Sequence, residues 1–411
     1  MARVAQPKPT EDQLKCTKIV RQVMPLVRKF DHAAHPVHGN VSLQLTDALA
    51  VMLAGFFNPM VRSLRLVEQL SQMDWVRGQL NVPRVCRSTL SDAFERFDPN
   101  QLLGLIRELM AQVPHLQHLD RDLDKLCRRI LAADGSYFTL AADVAWALMH
   151  TKSNKARQGQ CRLNLQLDID SFTPADLSVS GADEGSEPAA FIDRLAEGVI
   201  YLVDRNFLHF AFLRAVLDKQ SDFVLRLRKS ANFEGWRKMP LSARDVEAGA
   251  ISDRVGIMPG SKHSRTGPPP DRMLREVLIN DPDGGEPIRI LTSLLDVPAH
   301  VIGSLYRQRW QIELFFRWFK VWAGMDHLIS HRKKGIKLQF YVAVIACLLM
   351  HIRTGRKVNK YLIMLMGQVA AGLASFEQIL PMLEKIEREK ELERQRRARK
   401  KLSKNQALLP G

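Results

Sequence analysis

The chain has 411 residues, 46% apolar and 25% charged, and its 60 Lys and Arg against 44 Asp and Glu give a formal charge of +16. Length and composition exclude a disordered chain or a disulfide-stapled miniprotein and provide for a large buried core in more than one folded unit. The positive excess favours a polyanionic partner, because each neutralised phosphate releases counterions, although a membrane surface would use the same charge.

The first residues, MARVAQPKPTEDQLK, hold no apolar core of signal-peptide length. The longest strongly apolar run, residues 342–350, is too short to span a bilayer and reads as a buried helix. Cys16, Cys86, Cys127, Cys161 and Cys347 are scattered, odd in number and form no C-x-x-C pair. Reduced thiols in a cytoplasmic protein are therefore expected, with neither a disulfide framework nor a zinc site.

Residues 1–125 carry apolar positions at helical spacing over 43–53 and 64–80, then a break at Asn81-Val82-Pro83-Arg84 and an amphipathic segment over 88–97 with a Ser/Thr cap at its start. That order suits a DNA-binding helix-turn-helix and equally a plain helical bundle. Residues 126–228 change character. An apolar run over 129–133 ends on Asp134. Leu163, Leu165, Leu167 and Ile169 alternate with Asn164, Gln166, Asp168 and Asp170, the period of a half-buried strand. Residues 176–180 are its expected partner, 188–197 a helix, 199–203 a fully buried strand delivering Asp204, 208–218 a helix and 223–228 a strand. Three successive strands followed by alternating helix and strand describe a mixed α/β fold, a sheet covered by helices.

Residues 229–290 are rich in Gly, Pro and charge, with turn signals at 267–270 and 281–285 and a candidate hairpin of 277–279 with 288–291, which marks a β-rich insertion. Residues 291–350 hold a long amphipathic helix over 298–322 and a second helix over 338–351. Residues 351–411 continue as C-terminal helices and a tail in which Glu387, Glu389, Glu391 and Glu393 give way to Arg394, Arg396, Arg397, Arg399, Lys400 and Lys401. Such a tail is usually a solvated helix with incidental affinity for nucleic acid.

The chemistry concentrates in the helix over 298–322. At about 100° per residue, Tyr306, Arg309, Glu313 and Lys320 share an arc of roughly 60°, with Trp310 and Arg317 beside it. Leu305, Ile312, Phe316 and Phe319 form the neighbouring apolar stripe. One carboxylate among cations is either a surface ion-pair network or a metal ligand flanked by phosphate-holding groups. Asp134 and Asp204, each following an apolar strand, favour the second reading. Taken singly, Asp134-Gly135 suits a turn and Asp204-Arg205-Asn206 a helix cap. Together with Glu313 they offer the clustered hard-oxygen ligands that two-cation phosphodiester chemistry requires, suited to Mg²⁺ or Mn²⁺ rather than zinc.

The spacing Y-x2-R-x3-E-x6-K, met by Tyr306, Arg309, Glu313 and Lys320, resembles the signature of DDE transposases of the insertion-sequence-four family. A chance match in a chain of this length is on the order of one in a thousand. Ala133-Asp134-Gly135-Ser136 resembles the family's first-acid segment, Val203-Asp204-Arg205-Asn206-Phe207 its second, and residues 291–296 the run into its last helix, so the resemblance covers about residues 126–350. It implies an RNase H-like catalytic core in two parts, 126–228 and 291–350, interrupted by the insertion at 229–290. Asp134, Asp204 and Glu313 would be the catalytic acids and ligands of two Mg²⁺ ions. Tyr306, Arg309 and Lys320 would hold phosphates near the cleaved end, with Trp310 and Arg317 adjoining them. Trp236 lies in the region where the family can stack a tryptophan on a flipped base. The implied partners are double-stranded DNA (the element's terminal repeats and a target) and a second copy of the chain pairing two ends, with no membrane, in the bacterial nucleoid.

Other features carry no role. Pro36 breaks any helical face shared by His32, His35 and His38; His327 and His331 lie downstream of Glu313. Arg226 and Arg228, like Lys152, Lys155 and Arg157, suit DNA contact or a solvated face equally. Three rival functions stand beside transposition: a metal-dependent nuclease without strand transfer, a transposase-derived DNA-binding protein without catalysis, and a basic membrane-surface or ribosome-associated protein.

Overall fold

In the computed structural model the described residues are 43–58, 61, 63–114, 121–140, 159–181, 184–260, 267–281, 284–325, 327–370 and 373–406, with Val20, Met24, Pro25 and Arg28. Cys16, His32, His35, His38, Lys152, Lys155 and Arg157 lie outside them. The chain divides into one unit of residues 1–106 with 341–411 and a second of residues 107–340.

Helices of the first unit include α1 (Leu45–Phe56), α2 (Leu64–Gln72), α3 (Asp74–Leu80) and α4 (Arg87–Arg96), followed by α5 (Leu102–Gln112), which carries the chain into the second unit. The apolar stretch over 64–80 is two helices rather than one, because Met73 adopts an extended conformation between them. Asn81, in the left-handed region, terminates α3. The expected Ser/Thr cap of the next helix is not used: Cys86 stands at the N-cap, without a side-chain bond, and Ser88 lies inside α4. The turn is held instead by buried Ser71, whose Oγ accepts from Val85 N (3.2 Å) and donates to Glu68 O (2.7 Å).

The second unit is built on α6 (Arg121–Asp124), β1 (Ile130–Leu140), β2 (Gly159–Asp168), β3 (Thr173–Gly181), a short α7 (Ala189–Ile192), β4 (Ile200–Val203), α8 (Phe210–Asp218) and β5 (Asp222–Arg226). The strands β1, β2 and β3 form an antiparallel meander, and β4 and β5 join parallel to β1, giving the order β3-β2-β1-β4-β5. This is the RNase H-like arrangement. Next come β6 (Glu234–Lys238), α9 (Ala243–Glu247), β7 (Ala250–Ile257), β8 (Leu274–Ile279) and β9 (Ile288–Thr292). The expected hairpin is present as β8 and β9, with Val277 opposite Ile290. Strand β9 also pairs with β5, so the insertion extends the core sheet to nine strands with β6 at its edge. Its buried charges are matched: Arg275 bonds Asp253, and Glu276 accepts from Arg254 and Arg289.

Strand alternation divides the core sheet into two faces. Leu131, Ala133, Tyr201, Val203, Phe223 and Leu225 pack with Phe207 and with Phe212, Leu213 and Val216 of α8. The expected half-buried β2 is in fact buried along nearly its whole length. Its polar side is covered by residues 184–196. Gln166 donates to Arg194 O (3.0 Å), Arg162 to Gly185 O (3.4 Å) and to Asn164 Oδ1 (2.7 Å), and Asn164 to Ser178 and Ser180. These bonds also explain why 188–197 is not one helix. Arg194 O is taken by Gln166 and Ala196 N by the Tyr201 hydroxyl (2.7 Å), so the sheet competes with the helical ladder for its backbone groups.

The amphipathic stretch after Pro298 is likewise divided, into α10 (Ala299–Gln308), α11 (Trp310–Arg317) and a π turn over Trp318–Trp322. At Arg309 the ladder tightens, with Arg309 N bonded to Tyr306 O (3.1 Å), and at the π turn it widens, with Ala323 N bonded to Trp318 O (2.9 Å). The entry to α10 is fixed by Asp245 of α9, which accepts from His300 N (2.8 Å). The chain then returns to the first unit through α12 (Lys333–Thr354), followed by α13 (Lys360–Ala370) and α14 (Phe376–Gln406), whose sequence includes most of the charged tail. Residues 342–350 are all buried. Among the described residues, α12 is the helix long and apolar enough to cross a membrane, and most of its apolar stretch is buried within the protein.

Candidate active site

The two strand-borne acids meet by register. In the parallel pair β1–β4, Ile130 lies opposite Ile200 and Ala132 opposite Leu202. Two residues further on, Asp134 is level with Asp204, just past the end of β4 and on the same face of the sheet. Asp204 caps the short turn Arg205–Phe207 by accepting from Asn206 N (2.6 Å), which fixes its backbone and one carboxylate oxygen. Asp134 lies inside β1 rather than at its end, because β1 continues against β2 to Leu140 while β4 stops. The opening beside Asp134 is therefore made by the shorter strand.

A third carboxylate, absent from the sequence expectations, stands at Asp134. Glu187 precedes Pro188 in the segment covering β2, and its Oε1 accepts from Gly135 N (2.5 Å), which also reaches Asp134 Oδ1 (2.9 Å). Burial, then the charge of Glu187, then that of Asp204 push the Asp134 carboxyl up to about 8, against the favourable Gly135 N–H. Burial and the charge of Asp204 also raise Glu187, opposed by its bond to Asp134, by Gly135 N–H and by the Arg162 guanidinium. Asp134 and Glu187, with the charge of Asp204 beside them, thus share too little water and too little positive charge to ionise freely together.

Helix α11 covers the same face of β1. Ile312, Phe315, Phe316 and Phe319 are buried, as is Leu305 of α10, and the expected apolar stripe is the face that packs. Phe319 meets Phe138 of β1 (6.1 Å between ring centres), Phe315 (5.9 Å) and Phe340 (5.4 Å). This anchoring brings Arg309 within the field of Asp134. The charge of Arg309 is opposed by burial but raised overall by its bond to Glu313 and by Tyr306, Glu313 and Asp134. Arg309 Nη2 donates to Glu313 Oε1 (2.5 Å), and its guanidinium lies 5.8 Å from the Tyr306 ring centre. Lys320, placed by the π turn, donates to the Tyr137 carbonyl (2.7 Å) over the Phe138 ring, and burial lowers its pKa.

The structure therefore brings together Asp134 and Asp204, and separately Tyr306, Arg309 and Glu313, and ties Lys320 to β1. Trp310 (50% exposed) and Arg317 project outward on α11. Trp236 (65% exposed) stands on the edge strand β6, with β4, β5, β9, β8 and β7 between it and β1. At about 4.8 Å per strand that is on the order of 25–30 Å from the acids. Among the described residues no three acid, His or Cys side chains are already drawn together as a cation site, and Glu313 accepts from Arg309. The donor set nevertheless fits a hard divalent cation: it is all oxygen, and the mutual repulsion that raises Asp134 is what a bound cation relieves. In the sequence, Glu187 is one acid in the run Asp183, Glu184 and Glu187, and no spacing marks it out.

A family model described as "Transposase DDE domain" matches residues 125–349, more than half of the chain and all of the acids above. A putative transposase, y4zB, of Sinorhizobium fredii is 26% identical over 235 residues, covering 57% of this chain and 64% of the relative. A probable transposase for insertion sequence element IS5377 of Geobacillus stearothermophilus is 26% identical over 151 residues, covering 37% and 38%. The transposase InsG for insertion sequence element IS4 of Escherichia coli is 23% identical over 266 residues, covering 62% and 57%. The chain thus spans less than two thirds of the length of each. Among solved structures, a piggyBac transposase synaptic complex with hairpin DNA aligns at a TM-score of 0.38 with 13% identity, covering 89% of this chain and 82% of that one.

Proposed function

The chain belongs to the transposase DDE-domain family, of the insertion-sequence-four type, and from that premise we propose that it cuts DNA at its element's ends and joins them to target DNA. The observation that carries this reading is the register setting Asp134 level with Asp204 beneath the helix of Glu313. Asp134, Asp204 and Glu313 would hold two Mg²⁺ ions, with Mn²⁺ as a substitute. When bound, such a pair supplies activation of the attacking oxygen and stabilisation of the leaving one.

The chain's own groups have distinct tasks. Arg309 orients Glu313 through Oε1 and, within the field of Asp134, would turn towards a phosphate there. Lys320 spends one of its three N–H donors on Tyr137 O and keeps the others for the DNA backbone. In the first step a water oxygen bonds to phosphorus at the element's end and the strand's 3′-oxygen leaves as a hydroxyl. In the second that hydroxyl attacks a target phosphodiester, so one phosphate ester is exchanged for another. Trp310 and Arg317 border this track, and exposed Trp236 would stack on a base brought to the insertion. The helices before β1 would bind terminal-repeat duplex, and a second copy would pair the other end.

Two measurements follow. A pre-cut, labelled element end incubated with plasmid and Mg²⁺ should become joined to the plasmid; nicking without joining would leave a nuclease. Lys320→Met should weaken duplex binding across sequences and lower the slope of log affinity against log salt by about one, as expected for one lost phosphate contact. An unchanged slope would remove Lys320 from the DNA track.

A further inference from the structure

We propose that Glu187 is a fourth carboxylate of the catalytic centre and contributes an oxygen ligand to the cation held by Asp134 and Asp204. The inference rests on the placement of the cation site proposed above. Its basis is geometric. The single N–H of Gly135 is shared between Asp134 Oδ1 and Glu187 Oε1, so the two carboxylates meet at one point of β1 although 52 residues separate Glu187 from Gly135. The strand accommodates this approach: a Cβ on residue 135 would lie 2.7 Å from Glu187 Oε1 and 3.0 Å from Arg162 Cδ, so glycine lets both side chains come close without shifting.

The segment that presents Glu187 is fixed from both sides. Arg162, 2% exposed, reaches the carbonyls of Gly185 (3.4 Å) and Ser186 (3.5 Å) from the strand beneath, and Glu184 is paired with Lys333 (2.6 Å). Pro188 follows directly in a helical conformation. An acid held against a second acid by a buried arginine and a glycine strand is an expensive arrangement for a purely structural contact, since Gln at 187 would accept the same N–H without the repulsion. It is an ordinary arrangement for ligands of a shared divalent cation.

The test is Mn²⁺ uptake by the full chain, read from the free-ion paramagnetic resonance signal with and without duplex DNA, beside metal-free melting curves. The wild type should bind Mn²⁺. Asp134→Asn and Glu187→Gln should each weaken uptake by about tenfold or more, and Glu197→Gln, at an exposed position before β4, should not. At pH 9, above the range in which Asp134 keeps its proton, metal-free Glu187→Gln should melt at or above the wild type, because a repelling charge is gone and the hydrogen bond to Gly135 N is kept. Wild-type Mn²⁺ affinity in Glu187→Gln, with Asp134→Asn impaired, overturns the proposal and leaves the cation site standing. Weakened uptake with a lowered melting temperature also overturns it, since Glu187 would then only support the strand. No uptake by the wild type, or none lost in Asp134→Asn, overturns the cation site and the proposal together.

Discussion

Asp134→Asn should abolish DNA nicking, by on the order of a thousandfold or more, and at the same time make the metal-free protein more stable in alkaline buffer. The first effect follows from removing a charged oxygen where phosphoryl transfer depends on electrostatic stabilisation. The second follows from the carboxyl's raised pKa. Unfolded, Asp134 ionises near 4; folded, beside Glu187 and Asp204, it keeps its proton up to about 8. Below pH 4 both states are protonated and the substitution changes little. Between pH 4 and 8 the unfolded chain loses a proton that the folded chain retains, so folding becomes less favourable as pH rises; above 8 the full cost remains. Asn carries none of it. Relaxation and hydration reduce the net difference to on the order of 1–2 kcal/mol, or roughly 2–8 °C in melting temperature at pH 8 and above, shrinking towards zero at pH 4. Melting curves from pH 4 to 9 without metal check this, and a variant less stable than the wild type at pH 8 would contradict the account of the acid cluster.

Phe319→Ala should destabilise the second unit by about 3–5 kcal/mol, the cost of emptying a large aromatic site that relaxes incompletely. Phe319 is fully buried and sits between Phe138 of β1, Phe315 and Trp318 of the catalytic stretch, and Phe340. It sets the packing of α11 and the π turn on the strand that bears Asp134, and Lys320 follows it directly. The loss should therefore include nicking activity under conditions where the protein is still folded. Phe319→Leu should recover most of the stability. A denaturation midpoint shifted by less than about 1 kcal/mol in the Ala variant would mean that the helix is anchored elsewhere.

The parts of the site legible in the sequence are those set by local pattern. The apolar run at 199–203 leaves one way for β4 to lie, and the acid after it falls at the strand end. The alternation in β2 fixes its pairing with β1, and the stripe through Leu305, Ile312, Phe316 and Phe319 fixes which side of the helix packs. What was not legible depends on contacts distant in the chain. The polar side of β2 looks solvated until residues 184–196 cover it, and only that covering brings Glu187 to Gly135. The break at Arg309 and the π turn at Trp318–Trp322 preserve the helical periodicity closely enough that a wheel does not reveal them. They decide that Arg309 grips Glu313 while Lys320 turns to the Tyr137 carbonyl.

The most direct test of the catalytic reading is incubation of a labelled duplex carrying the flanks and terminal repeats of the surrounding element with the protein and Mg²⁺, wild type beside Glu313→Gln. Metal-dependent nicking at the element boundary is expected from the wild type and none from the variant, with both binding the duplex. Binding without nicking by either protein, or equal nicking by both, would contradict that reading.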